Sequence, residues 1–484
     1  MEKAYLIVGL GVSGNSAKNV LESRGERVLT ADDNKPADYR IDEISNESFN
    51  YADIQAVITS PGFKPTTGFI LKATQAGVPV ISDVELAWKL HNENELTRSQ
   101  VWIGITGTNG KTTTTEMTNS IMQAAGRHSQ AVGNIGNPIS QAGIDTALDT
   151  LTVELSSFQM HYTNSLELDC AAITNLADDH LDWHGGFDNY AADKAKVYNR
   201  AKKAVVYNAD DERVTRLAMK AKEKVESEEA GEAEEVNKPV FIGFTLRNPA
   251  VGEIGVDNGW IVNRSELPTL QERLAPITSF THLTEPDGTI YPHLLADALC
   301  ALSLSLGAGI DTHVAISALQ EFAPSGHRIE TVATWHTSNG SVRFVDDSKA
   351  TNSHAAAASL SSFADKSVVW IAGGLAKGSE FSDLIKTQKS KIRAAVIIGV
   401  DQQPMIDALK DYAPEIPVVL IDPETAETKP IMKQAVEACA RLAQAGNVVL
   451  MAPACASMDQ FVSYADRGNQ FAQYAQEWVN THVE

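Results

Sequence analysis

An apolar run from Val101 to Ile105 breaks at Gly107-Thr108-Asn109-Gly110-Lys111-Thr112 and reopens into a row of threonines. This junction constrains the fold more than any other stretch. A strand that ends in glycines and restarts as a helix aims backbone N–H groups and the positive helix end at one point, which suits phosphate oxygens. Lys111 would reach the outer phosphates of a nucleotide, and the Thr112 hydroxyl a magnesium ion. Gly107, Thr108, Asn109, Gly110 and Thr113 complete the expected cradle. The common spacing G-x-x-x-x-G-K-[ST] would put a glycine at position 105, where this chain has Ile, so the loop is a shortened G-x-x-G-K-T form. The bland alternative is a plain strand–turn–helix, but Gly-Lys-Thr after a strand is hard to obtain from packing alone.

A second glycine loop, Gly9-Leu10-Gly11-Val12-Ser13-Gly14, directly follows a strand-like run, with Asp32 and Asp33 roughly 20 residues further on. Taken alone this fingerprint suggests NAD. Physically it asks only for a diphosphate at a helix N-terminus, which a UDP-sugar also carries. A tight turn for close helix–strand packing is the other reading. Short apolar runs such as ERVLTAD, IQAVITSPG, VPVISD, TLTVELSS and CAAITNLADD alternate with helical stretches. So do VRFVDDS, SVVWIAGG, AAVIIGV, IPVVLID and NVVLMAPA near the C-terminus. That rhythm predicts an α/β fold with parallel sheets.

At 484 residues the chain is too long for one core. We expect three domains: a Rossmann-like one over 1–93, a phosphate-loop domain over 94–323 and a second Rossmann-like one over 324–484. The polar HNENELTRSQ (91–100) reads as a linker, and the Glu-rich stretch 221–239 as a solvated, partly disordered insertion. A net charge of −22 opposes nucleic-acid binding. No signal peptide and no membrane span are expected, because the N-terminus has no basic region and no apolar run reaches about 18 residues. Four scattered cysteines with no C-x-x-C pair suggest a reducing cytoplasm and no structural zinc.

Glu154 ends an apolar strand, and a carboxylate there, near a phosphate loop, is the expected place for a magnesium ligand. NLADDHLDWH then concentrates Asp178, Asp179, His180, Asp182 and His184. Hard carboxylates without a nearby cysteine favour magnesium over zinc. Asp178 and Asp179 could equally cap a helix, and His180 could be a surface histidine. Further on, Asp347 and Lys349, then Lys377, then Ser457 each follow a strand, where α/β sheets bind ligands. Two lysines and a serine there could receive an anionic substrate; solvated surface charge is the alternative for each lysine.

In order along the chain, TGTNGKTTTTEM, GNIGNP, ELSSFQM, NLADDHLD, GHRIE, DDSKATNSHA and PACASMDQF with RGNQF resemble the Mur ligases of peptidoglycan synthesis. DDSKATN and ELSSFQ are similar to the members that add D-glutamate; other members carry His in place of Lys349. The resemblance implies ATP-dependent amide synthesis on UDP-N-acetylmuramoyl-L-alanine through an acyl phosphate. It also implies residue roles. Lys111, His180, Lys194 and Lys349 would be catalytic, and Thr112, Glu154 and His180 would hold magnesium. Val12, Ser13, Asp32, Asp33 and Ser60 would line the UDP pocket, with Asn134 and Ser156 near the acyl group. Arg328, Asp347 and Asp297 would reach the nucleotide. Lys349, Thr351, Lys377, Ser457 and Tyr464 would hold D-glutamate.

Lys194, in YAADKAKVY, is implied to be carbamylated and to hold a second magnesium ion with His180; read by itself it is a solvated lysine like Lys196 and Lys202. The resemblance further implies a cytoplasmic monomer whose third domain closes onto the second. Departures accompany it. HLLAD replaces the frequent HNxxN, so Leu294 and Asp297 stand at the Asn positions, and an ionised Asp297 can only accept a hydrogen bond from adenine. Asp33-Asn34 stands where some relatives place Thr-Arg, and the Glu-rich stretch has no family role. Rival readings are an NAD-dependent oxidoreductase, a folylpolyglutamate-type ligase and a non-catalytic nucleotide-binding module.

Overall fold

The computed structural model describes residues 3–228, 238–267, 272–284, 288, 290–324, 326–376, 378–427 and 429–482. The chain forms two compact units, Met1–Ala323 and Pro324–Glu484. In the first, β1 (Ala4–Val8), β2 (Val28–Ala31), β3 (Ile54–Thr59) and β4 (Val80–Ile81) pair in parallel in the order β2-β1-β3-β4. The winding reverses between β1 and β3, so the loop after β1 lies at the switch point where such sheets bind ligands.

The second sheet of this unit contains β5 (Val101–Thr106), β6 (Ser129–Gly133), β7 (Thr150–Glu154), β8 (Cys170–Ile173), β9 (Ala204–Asn208), β10 (Val240–Phe244), β11 (Glu253–Asp257), β12 (Trp260–Asn263) and β13 (Arg273–Pro276). Their order is β13-β12-β11-β10-β9-β8-β5-β7-β6, parallel up to β11 and antiparallel from there to β13. β5 is central and covered on both faces, so it is apolar along its length, with Trp102, Ile103 and Ile105 fully buried. The helix Lys111–Ala124 packs on β7 and on the apolar helix Pro292–Gly307.

Two stretches read from composition carry more structure than that reading gave them. Residues 91–100, read as a polar linker, begin inside the helix Asp83–Glu93, and His91, Thr97 and Gln100 are buried. Gln100 donates to the carbonyls of Asp145 at 2.8 Å and Leu148 at 3.0 Å, and Thr97 Oγ1 to that of His91 at 3.0 Å. Polar composition misled because backbone carbonyls replace the water those groups need. The Glu-rich stretch begins as the end of a helix, Glu212–Glu228, and 229–237 lie outside the described residues.

In the second unit, β14 (Glu330–Thr337), β15 (Gly340–Asp346), β16 (Val368–Gly373), β17 (Ile392–Ile398), β18 (Val418–Leu420) and β19 (Val448–Met451) are ordered β14-β15-β19-β16-β17-β18. All pairs are parallel except β14–β15. Phe344, Trp370, Val396, Val449 and Phe471 are fully buried in this unit. No described helix is long and apolar enough to cross a membrane.

Candidate active site

At the end of β1 the glycine loop turns so tightly that a side chain on Gly14 would run into the Gly9 carbonyl. Asp32 clamps this loop. Its Oδ2 accepts from Leu10 N at 2.6 Å, and its Oδ1 from Asn34 N at 2.8 Å and Lys35 N at 2.9 Å. The Leu10 amide, with the other two, holds the Asp32 carboxyl below its usual range. Ser60 Oγ donates to Gly9 O at 2.9 Å, while Val12 is exposed. Asp33 accepts from Ile41 N at 3.1 Å and pairs with Arg40 at 3.6 Å.

Asp83 is buried, and burial pushes its carboxyl up. Asp83 accepts from Gln159 Nε2 at 3.1 Å, and Gln159 Oε1 accepts from Ser156 Oγ at 3.0 Å. A chain of hydrogen bonds thus runs from the start of the helix Asp83–Glu93 to the residues just after β7. The sequence reading missed Asp83 and Gln159; the pattern Gln three residues after Ser156, a helix capping box, was the available signal.

The phosphate loop follows β5 and is braced from β8. Asn175 O accepts from Thr108 N at 2.9 Å, Asn175 Oδ1 from Asn109 N at 2.9 Å, and Asn109 O from Thr174 Oγ1 at 2.6 Å. Thr108 Oγ1 and Tyr190 Oη share a hydrogen bond of 2.8 Å, and Lys111 Nζ donates to Thr108 O at 2.8 Å. Gly110 caps the helix with φ 79°, and a side chain there would run into the Asp297 carboxylate. Asp297 is therefore beside the phosphate loop, and Leu294 is buried. Thr112 and Thr113 lie in the first turn of that helix.

Glu154 is buried at the tip of β7. Its Oε1 accepts from Asn134 Nδ2 at 2.8 Å; its Oε2 is buried with no hydrogen-bond partner among the described residues. A buried carboxylate oxygen without a donor fits a hard cation. His180 holds φ 53° at the start of the helix Leu181–His184, with its ring 4.7 Å from that of Phe158. Lys194, from the helix Phe187–Ala195, is buried, not solvated: its Nζ donates to Gly107 O at 2.7 Å and Thr106 Oγ1 at 3.3 Å. Burial first, then the Lys111 charge, depress its pKa well below the ordinary lysine value, against the opposing charges of Asp179 and Glu154.

The acidic and histidine cluster divides. Asp178 pairs with Arg213 at 3.3 Å and Asp182 with Lys64 at 2.9 Å. His184 faces Asp193 at 3.0 Å, and Asp179 lies 3.5 Å from His180. No side chain caps the helix Leu181–His184, which removes the capping reading of Asp178 and Asp179 there.

In the second unit, β15 ends at Asp346-Asp347. Asp346 accepts from His327 Nδ1 at 2.6 Å and Ser348 N at 2.9 Å, and the hydrogen bond to His327, with the Asp346 charge, raises the His327 pKa. Asp347 is buried against Ser359 Oγ; burial pushes its carboxyl up to about 7, with Arg328 among the groups pulling it down. Lys349 Nζ lies 4.1 Å from the centre of the Tyr464 ring. Arg467, quoted in RGNQF but given no role there, is fully buried; it donates to Ser348 Oγ and Ser348 O at 2.9 Å each and to Cys455 O at 3.1 Å. It joins the loop bearing Lys349 to the one bearing Ser457, which is buried. Thr351 directly precedes the helix cap Asn352, and Lys377 lies outside the described residues.

A glycine loop at a sheet switch point and a phosphate loop with an orphaned buried carboxylate beside it are the features of a nucleotide-binding enzyme. The Mur ligase middle-domain profile matches residues 105–243, and that of the Mur ligase glutamate ligase domain matches 327–455. The chain belongs to the Mur ligase family. Among its relatives are proteins named UDP-N-acetylmuramoylalanine--D-glutamate ligase. That of Bifidobacterium adolescentis is 58% identical over 100% of this chain and 98% of its own length, and that of Streptomyces coelicolor 40% identical over 98% of each. In fold the chain is similar to the UDP-N-acetylmuramate-alanine ligase MurC of Thermotoga maritima, with TM-score 0.54, 16% identity and coverage of 98% and 99% of the two chains.

Proposed function

We infer that the chain is an ATP-dependent, ADP-forming ligase that joins D-glutamate to UDP-N-acetylmuramoyl-L-alanine in peptidoglycan precursor synthesis. One observation carries the reading: alignment over the full length with D-glutamate ligases at 58% identity, which the phosphate loop beside Glu154 and Lys194 accompanies.

In this reading residues 1–93 bind the UDP part through the loop around Val12 and Ser13, with Asp32, Asp33 and Ser60. Asn134 and Ser156 hold the L-alanyl end. Residues 94–323 hold the triphosphate: the amides of 107–110 and Lys111 contact phosphate oxygens, and Lys111 offsets the repulsion between carboxylate and triphosphate. Asp297 and, from residues 324–484, Arg328 and Asp347 serve the nucleotide. Thr112, Glu154 and His180 would hold magnesium. The bound ion supplies charge screening and polarises the γ-phosphate. The substrate carboxylate oxygen bonds to the γ-phosphorus as the β,γ P–O bond breaks and ADP leaves. The D-glutamate amine then bonds to the acyl carbon, the carbon–oxygen bond to phosphate breaks, and the amine releases a proton.

Lys349, Thr351, Lys377, Ser457 and Tyr464 orient D-glutamate, whose two carboxylates need cationic and hydroxyl partners. Lys194 acts as a carbamate: its neutral amine adds CO₂, losing one proton, and presents oxygens to a second magnesium ion. Burial and the nearby Lys111 charge, which depress its pKa, favour that neutral amine. The enzyme works in the cytoplasm as a monomer. Phosphate release from ATP with UDP-N-acetylmuramoyl-L-alanine tests the reading, with D-glutamate, L-glutamate and other amino acids in turn. Release driven by D-glutamate is expected; release driven equally by another amino acid would overturn it.

A further inference from the structure

Three segments carry the proposed magnesium ligands. β7 bears Glu154 and leads into the helix Ser157–His161; His180 opens the helix Leu181–His184; Lys194 lies in the helix Phe187–Ala195. One carboxylate joins all three. Asp193 Oδ2 lies 2.8 Å from His161 Nδ1 and 3.0 Å from His184 Nδ1. The other nitrogen of His184, Nε2, lies 3.0 Å from Ser157 Oγ. Asp193 Oδ1 lies 3.2 Å from Lys196 Nζ, which also donates to the carbonyls of Met160 and His161 at 2.8 Å each. The His184 side chain is fully buried and that of Asp193 nearly so. Being consecutive on a helix, Asp193 and Lys194 leave it about 100° apart, one toward the histidines and the other toward the Gly107 carbonyl.

Two imidazoles and a carboxylate whose ligand atoms lie within 4.8 Å of one another are also a donor set for a transition metal. Here the distances are those of hydrogen bonds, and the Lys196 ammonium already sits at the second carboxylate oxygen. A dication would have to displace both ring protons beside that ammonium. With two ring nitrogens on one oxygen and an ammonium on the other, Asp193 serves as an acceptor on both of its oxygens.

We propose that the His161–Asp193–His184 brace is a positioning device for the magnesium site: it fixes the segments bearing Glu154, His180 and Lys194 in one arrangement and thereby sets divalent-cation affinity. It rests on the reading that those three residues hold magnesium. The test titrates Mn²⁺ into the full chain with saturating ADP and reads the free ion by electron paramagnetic resonance. Asp193→Asn should weaken Mn²⁺ binding by on the order of tenfold or more, the scale for losing a group that orients a metal ligand. His161→Leu, at a side chain one-third exposed, covers the case in which the first variant folds poorly and should weaken binding similarly. His161→Gln keeps an N–H donor and should restore most of the affinity. If Asp193→Asn and His161→Leu bind Mn²⁺ like the native chain while Glu154→Gln binds it weakly, the brace has no such role and the magnesium assignment stands. If Glu154→Gln also binds normally, the magnesium assignment is wrong and the brace proposal falls with it.

Discussion

Lys194 is a buried amine whose direct hydrogen bonds go to the Gly107 carbonyl of the phosphate loop and the Thr106 hydroxyl at the end of β5. A permanent ammonium there would repel a metal ion; a carbamate would attract one. Lys194→Ala is expected to release phosphate at a small fraction of the native rate, and added formate or acetate to restore part of it by filling the gap. Native activity in that variant would remove the carbamate role. Asp347 makes a pH prediction. Its carboxyl is raised from 3.8 to about 7 by burial, so over that window the folded chain keeps a proton that the unfolded chain has lost. The resulting stability is complete below about pH 4 and is lost as the pH rises through the folded value. Urea unfolding from pH 4 to 8 should show this fall, and Asp347→Asn should flatten it.

Among elements, the strands legible in the sequence were those buried on both faces, such as VWIGIT and VVWIAG, because continuous apolar runs leave few alternatives. β6 and β9–β14 were not named; of these, SQAVG and RLAP carry little pattern, and their pairing depends on distant partners. The phosphate loop was legible because its chemistry is local. Asp83, Gln159, Arg467 and the Asp193 brace were not, because each works through partners far along the chain. Arg467 illustrates the cost of such a link: replacing it leaves Ser348 O and Cys455 O without their donor. Arg467→Met should destabilise the second unit by about 3 kcal/mol or more, visible as a lowered midpoint in thermal unfolding. A midpoint within a degree or two of native would show that water replaces the guanidinium.

For the whole molecule, the glycine loop after β1 satisfies the diphosphate geometry that UDP and NAD share. Asp32 fixes that loop through three backbone amides, an arrangement that serves either ligand, so binding has to separate them. Calorimetric titration of the full chain should give saturable UDP binding and none with NADH; the reverse would return the first sheet to the oxidoreductase reading. The cysteines carry a practical consequence. All four, Cys170, Cys300, Cys439 and Cys455, are free and buried, and burial pushes the Cys170 and Cys455 thiols up to about 12. Thiol-specific reagents should find no reactive group in the native chain and four after unfolding. The molecule is therefore a silent background for site-directed labelling: one exposed cysteine introduced in each unit, each carrying a dye, would turn any nucleotide-driven change in their separation into an energy-transfer signal.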